Sequence, residues 1–179
     1  MITVLQVLWL FVPAYAANMA PVLVHGHFER LATPIDGGRT LGGKRIFGDH
    51  KTWRGLLAGI VAGVIAYELQ RVLHGSGALG NIALIDYAHH PVLPGALMGL
   101  GTGVGDALKS FFKRRVGIAP GASWPVFDQL DFFAGAYAFL AVVVVPPLVP
   151  TLVCLPILLV GTIGVTTAGW ALGLKEAWI

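Results

Sequence analysis

From Phe132 to Leu174 the chain runs 43 residues without a charged side chain. As a single α-helix at 1.5 Å per residue that run would reach about 65 Å, roughly two hydrocarbon cores end to end, so it must turn back inside an apolar environment. Pro146, Pro147 and Pro150 mark the turn, because proline ends helices. The remainder of the chain has the same character: 56% of the 179 residues are hydrophobic and 12% charged, and the mean hydropathy is +0.76. Soluble domains carry roughly 25% charged residues, so the composition is that of an integral membrane protein.

Apolar windows predict helices over Ile2 to Val24, Trp53 to Leu73, Val92 to Phe112, Phe127 to Val145 and Thr151 to Leu172. The expected fold class is therefore all-α: a polytopic membrane protein of about five transmembrane helices, forming one domain over residues 1–179 with no room for a soluble domain beside it. Of twelve Lys and Arg, none precedes the first span, while six lie in or beside the first loop (Arg30, Arg39, Lys44, Arg45, Lys51, Arg54) and four at the third (Lys109, Lys113, Arg114, Arg115). Arg71 stands at the second loop and Lys175 at the C-terminus. The positive-inside rule then puts the N-terminus outside the cell membrane, the C-terminus in the cytoplasm, and the first and third loops together on the cytoplasmic side, where they form the site. Ala14-Tyr15-Ala16 resembles a signal cleavage site, but no basic residue precedes Arg30, so this segment is expected to remain as the first span.

A pI near 9.2 raises nucleic acid as a partner. It is set aside, because the cations cluster beside membrane segments without an accompanying stacking pattern. Membrane headgroups and nucleotides are the anionic partners that remain. Cys154, the one cysteine, lies in an apolar span and is read as packing. The oligomeric state is not legible in the sequence.

Between Gly105 and Asp131 the charge is dense for a segment bordering lipid, where ionisable groups are costly and mark substrate or ion sites. Asp106, Lys109, Ser110 and Lys113 fall at i, i+3, i+4 and i+7 and share one helix face, which Arg114 extends. Asp128 and Asp131 are i and i+3 at the start of the next helix. A bland account is available for each: a local Asp106–Lys109 pair, cations snorkelling to the interface, and carboxylates favoured by the helix dipole. Against it, two carboxylates on one face repel each other, and a shared divalent cation relieves that repulsion. Hard oxygen ligands without histidine or cysteine nearby point to Mg²⁺, and Asp106 completes a metal site with Asp128 and Asp131 if the two helices pack side by side.

The first loop, His25 to Thr52, carries Asp36-Gly37-Gly38-Arg39, Gly42-Gly43-Lys44-Arg45 and Gly48-Asp49-His50-Lys51-Thr52. Glycines let backbone N–H groups approach an anion, and Thr52 is placed to cap the second span. The loop is either a phosphate clamp or a solvated segment lying on headgroups. Gly38 to Lys44 is not a P-loop, since Arg45 stands where Ser or Thr is needed. Gly99, Gly101, Gly103 and Gly105 lie within a span and are read as close helix contacts. Glu68 and Arg71 are expected to pair, Asn18 to make an interhelical hydrogen bond, and the six histidines to form no metal cage.

Gly105-Asp106, Ser110, Lys113-Arg114, Pro120-Gly121, Asp128 and Asp131 resemble the signature of the CDP-lipid-forming cytidylyltransferases. The chain lacks the His-Gly-Gly run of the phosphatidate-specific enzymes, reading Ser123-Trp124-Pro125-Val126-Phe127 instead. With its small size and the Pro34–Gly38 and Gly48–Gly55 segments, it is most similar to the archaeal branch, the CDP-archaeol synthases. The resemblance implies transfer of a cytidylyl group from CTP to an isoprenoid ether lipid phosphate in the bilayer. It also implies a Mg²⁺ cofactor on Asp106, Asp128 and Asp131, with Lys109, Lys113 and Arg114 neutralising phosphates. Asp36, Gly37, Gly38, Lys44, Thr52, Arg54 and Ser110 would then contact the nucleotide. A phosphatidate cytidylyltransferase acting on ester lipids and a small ion or anion transporter are the alternatives.

Overall fold

The computed structural model describes residues 4–77, 79–120, 122–124 and 126–171; Gly121 and Lys175 lie outside the described residues. Six α-helices make up almost all of the ordered structure: α1 (Val4–Leu10), α2 (Val12–Leu23), α3 (Trp53–Gly75), α4 (Leu93–Arg115), α5 (Phe127–Leu140) and α6 (Leu148–Ala171). The loop between α2 and α3 adds a 3-10 turn at Glu29–Leu31 and a small antiparallel hairpin, β1 (Thr40–Leu41) with β2 (Lys44–Arg45), pairing Thr40 with Arg45 and Leu41 with Lys44.

The first apolar window, read as one helix from Ile2 to Val24, is in fact two helices bent by 46°. Pro13 is the cause. It has no N–H to bond the carbonyl four residues earlier, that of Trp9, and the Gln70 amide of α3 donates to that carbonyl instead. Gln70, 1% exposed, is thereby explained as a buried polar group with a backbone to serve. α5 ends at Leu140, short of the expected Val145, and the Tyr137 hydroxyl holds the turn that follows by donating to the Pro146 carbonyl at 2.8 Å. The hairpin has no counterpart in an all-helical expectation.

Glycines set the helix spacing. A Cβ at Gly63 would overlap the Gly95 carbonyl across α3 and α4, and one at Gly135 would overlap that of Gly101 across α4 and α5. Both helix pairs therefore touch through their backbones, the contact that small residues permit in lipid, where no hydrophobic force draws helices together. On the other side of α5, Phe11, Tyr15, Phe132 and Phe133 pack ring against ring, and the Tyr15 hydroxyl donates to the Leu158 carbonyl of α6 at 2.8 Å.

The outer face of α3 is apolar and bare: Leu57, Val61, Ile65 and Leu69, four residues apart, are 43%, 56%, 63% and 58% exposed. Such a face suits contact with lipid. At 23 residues α3 is long and apolar enough to cross a membrane, and α1 with α2 meets the same test as a bent pair.

Candidate active site

The close approach of α4 and α5 builds the site. A Cβ at Gly105 would strike the Asp131 carbonyl, so the residue after it, Asp106, is held beside the start of α5. Helical periodicity then turns Lys109 and Lys113 toward the same neighbour. Val126, held at φ 71° where a β-branched residue is strained, brings the chain into α5 two residues before Asp128.

Lys109 Nζ lies 3.1 Å from Asp106 Oδ1, 3.2 Å from Asp128 Oδ1 and 2.7 Å from Asp131 Oδ2. Lys113 Nζ donates to Asp128 at 2.9 and 3.2 Å, and the Trp124 N–H donates to the same carboxylate. Lys51 reaches over from the first loop to pair with Asp106 Oδ2. Three ammoniums thus face three carboxylates, with the Asp131 side chain 7% exposed and Lys109 14%.

One oxygen from each of the three aspartates reaches a single cationic centre, and hard carboxylate oxygens suit Mg²⁺. Their spacing is the one an ammonium imposes, wider than the roughly 2.0–2.1 Å of Mg²⁺ coordination. Among the described residues no group of three His, Cys, Asp or Glu side chains is arranged to hold a metal as it stands. The three carboxylates expected to share a metal do gather at one point, and Lys109 Nζ occupies it here.

Two cavities meet at this cluster. A basic one of about 610 Å³ is walled by the first loop and the α4–α5 connection, with Lys44, Arg45, Lys51, Lys109, Lys113 and Arg114 among its lining. Ser110 and Asp128 line it too. The other is an apolar groove of about 670 Å³ along α4 and α5, running from Leu108, Phe112 and Phe127 toward Ala138 and Phe139. Lys109 lines both, and Asp131 lines the groove.

Several residues expected at the nucleotide have other positions. Asp36 is enclosed by its own loop: its carboxylate accepts from the N–H groups of Gly38, Phe47 and Gly48 at 2.9–3.0 Å and from Arg45 Nη2 at 2.7 Å. Gly37 and Gly38, at φ 57° and 80°, supply the left-handed turn that follows. None of the three lines the basic cavity, and their work is to shape the loop that does. Arg54 points away, donating to the His27 carbonyl and to Glu29 Oε1, both at 2.8 Å. Thr52 caps α3 as expected, its hydroxyl accepting from the Gly55 N–H at 3.2 Å. Lys44 lines the basic cavity while donating to the Arg115 carbonyl at 3.2 Å, and so joins the hairpin to the end of α4. Glu68 and Arg71 pair at 2.7 Å.

Desolvation by the loop would raise the Asp36 pKa, but the Arg45 guanidinium and three backbone N–H groups outweigh it and hold the carboxyl well below the usual carboxylate range. A lowered folded pKa gives stability that is full above the unfolded value of about 3.9 and is lost as pH falls below it. Asp36→Asn is expected to destabilise the protein by about 1.5–3 kcal/mol, the worth of hydrogen bonds to a charged group. Thermal unfolding in detergent should show a constant gap between wild type and variant from pH 5 to 8, closing below about pH 4. A gap independent of pH would remove Asp36 from this role.

A family model described as CarS-like CDP-archaeol synthase matches residues 1–179. The chain belongs to the CDP-archaeol synthase family. A CDP-archaeol synthase of Halobacterium salinarum is 41% identical, covering 98% of this chain and 97% of that protein. One from Methanocaldococcus jannaschii is 33% identical over 96% and 94%. A solved structure described as an intramembrane enzyme for archaeal membrane lipids biosynthesis superposes with TM-score 0.70 at 33% identity, covering 89% of this chain and 92% of that one. The chain is accordingly a membrane protein with an all-helical fold. For this CDP-archaeol synthase family member, sequence reasoning missed Lys51, whose place beside Asp106 depends on a contact spanning 55 residues. Its position immediately before the N-cap Thr52, on the face where the charges gather, was the available signal.

Proposed function

We propose that this chain transfers the cytidylyl group of CTP to 2,3-bis-O-(geranylgeranyl)-sn-glycerol 1-phosphate, giving unsaturated CDP-archaeol and pyrophosphate. The observation that carries the reading is Lys109, standing where the basic cavity and the apolar groove meet. A reaction joining a nucleotide to a lipid phosphate needs such a junction. The triphosphate lies against Lys113, Arg114 and Lys44, and an isoprenoid chain lies along α4 and α5 with its phosphate at Lys109 and Asp131.

An oxygen of the lipid phosphate attacks the α-phosphorus of CTP; the new P–O bond forms as the bond to the β-phosphate bridging oxygen breaks, and pyrophosphate leaves with that electron pair. The second pKa of a phosphate monoester is near 6, so the attacking oxygen is already anionic at neutral pH and needs no general base. The protein's task is positioning and charge neutralisation, as in phosphoryl transfer generally. Lys109 shields the two anionic substrates from each other, and Lys113 and Arg114 stabilise the departing pyrophosphate. Asp106, Asp128 and Asp131 would hold Mg²⁺, which when bound neutralises triphosphate charge.

In the membrane, α1 with α2 forms one bent span and α3 to α6 four more, with the N-terminus outside and the basic cavity on the cytoplasmic side, where CTP is found. The distribution of the basic residues supports this orientation.

Purified protein in detergent with CTP, Mg²⁺ and the lipid phosphate should give the CDP-lipid by mass spectrometry, with Asp128→Asn at least a hundredfold slower. Absence of product from folded wild type with intact lipid would refute the assignment.

A further inference from the structure

The lipid phosphate of the proposed reaction carries two isoprenoid chains, and the groove along α4 and α5 seats one. A second apolar groove, of about 360 Å³, lies on the other flank of α5, between that helix and α6. Its size falls within the roughly 300–1,000 Å³ of ligand sites. Phe11, Phe133 and Leu158, all buried, form its floor, and Leu148, Leu152 and Leu155 its α6 wall. Leu130 and Ala134 line both grooves. Being i and i+4 they share one face of α5, and with exposed Ala134 as one of the pair the ridge between the grooves is low. The residue after Leu130 is Asp131, whose carboxylate lies 2.7 Å from Lys109 Nζ. Both grooves therefore start beside the point where the lipid phosphate is held.

The chemistry of the second groove admits hydrocarbon and little else. Among the described residues no charged side chain lines it. Its two hydroxyls are satisfied elsewhere: Thr151 donates to the Pro147 carbonyl at 2.7 Å and Tyr137 to the Pro146 carbonyl at 2.8 Å. A headgroup placed there would be buried without partners, which is costly. Continuity with the reaction site separates this groove from the rest of the lipid-facing surface. The apolar groove of about 410 Å³ between α2 and α3 shares no lining residue with the other two grooves or with the charged cluster, and its one cation, Arg54, is paired with Glu29. An ordinary membrane lipid suffices to cover it.

Resting on the reaction proposed above, we propose that the lipid phosphate straddles α5. One isoprenoid chain lies in the α4–α5 groove and the other crosses the Leu130–Ala134 ridge into the α5–α6 groove, which makes the enzyme selective for a phosphate ester bearing two chains. The chains leave neighbouring carbons of one glycerol, so they run together until something divides them, and the ridge stands directly beside the phosphate. Transfer from bilayer to groove brings no hydrophobic gain, because lipid is as apolar as the groove. The grooves act instead through close packing: chains held on both flanks of α5 fix the glycerol between them, and with it the attacking oxygen. A lipid with one chain is held from one flank only, and its phosphate pivots about that chain.

The test compares digeranylgeranylglyceryl phosphate with its monogeranylgeranyl counterpart as substrates. Wild type should favour the two-chain lipid about tenfold or more in kcat/KM, the scale on which an apolar pocket discriminates. Leu152→Trp, at an exposed position of the α6 wall, fills the second groove. It should lower kcat/KM for the two-chain lipid about tenfold while leaving the single-chain lipid and the KM for CTP within about twofold. Val153→Trp places the same side chain at a neighbouring exposed position that lines neither groove, and should change nothing. A readout independent of turnover uses wild type and two lipid phosphates, each with a diazirine on a different chain. After irradiation, peptide mapping should place one label on α4 and the other on α6. Equal use of both lipids by wild type, a Leu152→Trp protein that treats the two lipids as wild type does, or labels from both chains on α4 alone would overturn the straddled seat while leaving the reaction standing. Folded wild type that makes no CDP-lipid from either substrate would sink the reaction itself.

Discussion

Lys109→Met is expected to lower kcat about a thousandfold while leaving the protein able to reach the membrane. The ammonium is the ion-pair partner of Asp131 among the described residues, and it also contacts Asp106 and Asp128. Removing it leaves Asp131, 7% exposed, without that partner, while Asp106 keeps Lys51 and Asp128 keeps Lys113. Breaking a buried ion pair from one side costs about 3–5 kcal/mol, since the remaining charge stays buried and unpaired, so the Tm should also fall. Loss of a preorganised charge at the reacting phosphates accounts for a factor of about 10²–10³ in kcat by itself. Lys109→Arg separates the two effects. It returns the positive charge and most of the Tm, but a planar fork cannot sit at the point where three single oxygens converge, so kcat should stay at least tenfold down. A Lys109→Met protein with kcat within tenfold of wild type would show that the cluster is a structural ion-pair network.

How far the sequence exposes this site depends on the reach of each interaction. Asp106, Lys109 and Lys113 share a face by helical periodicity alone, and the short connection to Asp128 makes the α4–α5 pairing almost compulsory, so that pair was legible. Asp36 was not: an aspartate followed by two glycines reads equally well as a phosphate clamp, and its actual partners include the N–H groups of Phe47 and Gly48, eleven and twelve residues away. Lys51 was one cation among several in a basic loop until the fold set it against Asp106. The bend between α1 and α2 was present in the sequence as Pro13, yet a hydropathy window averages over a single proline. Composition reports what surrounds a helix and is nearly silent about where its backbone breaks.

Gly105→Ala is the smallest change expected to dismantle the site, through geometry alone. The added methyl would lie less than 3 Å from both the carbonyl oxygen and the carbonyl carbon of Asp131, and 3.4 Å from Gly135 Cα. These are backbone atoms, so no side-chain rotation relieves the overlap and α4 must move away from α5. A displacement on the order of 1 Å suffices to cost about a hundredfold in rate. Here it acts where it matters, because the atom struck belongs to Asp131 and the residue beside the methyl is Asp106. The 2.7 Å contact of Lys109 with Asp131 opens, and the apolar groove widens along the same seam. We expect kcat about a hundredfold lower and a Tm lowered by several degrees, the lost backbone packing being what held the helices together. Gly164→Ala makes the same substitution in α6, where a Cβ meets no atom within 4 Å, and alanine is the better helix former. It should leave kcat unchanged and the Tm equal or higher. If both variants kept wild-type kcat, the spacing of α4 and α5 would not be what sets the geometry of the three carboxylates.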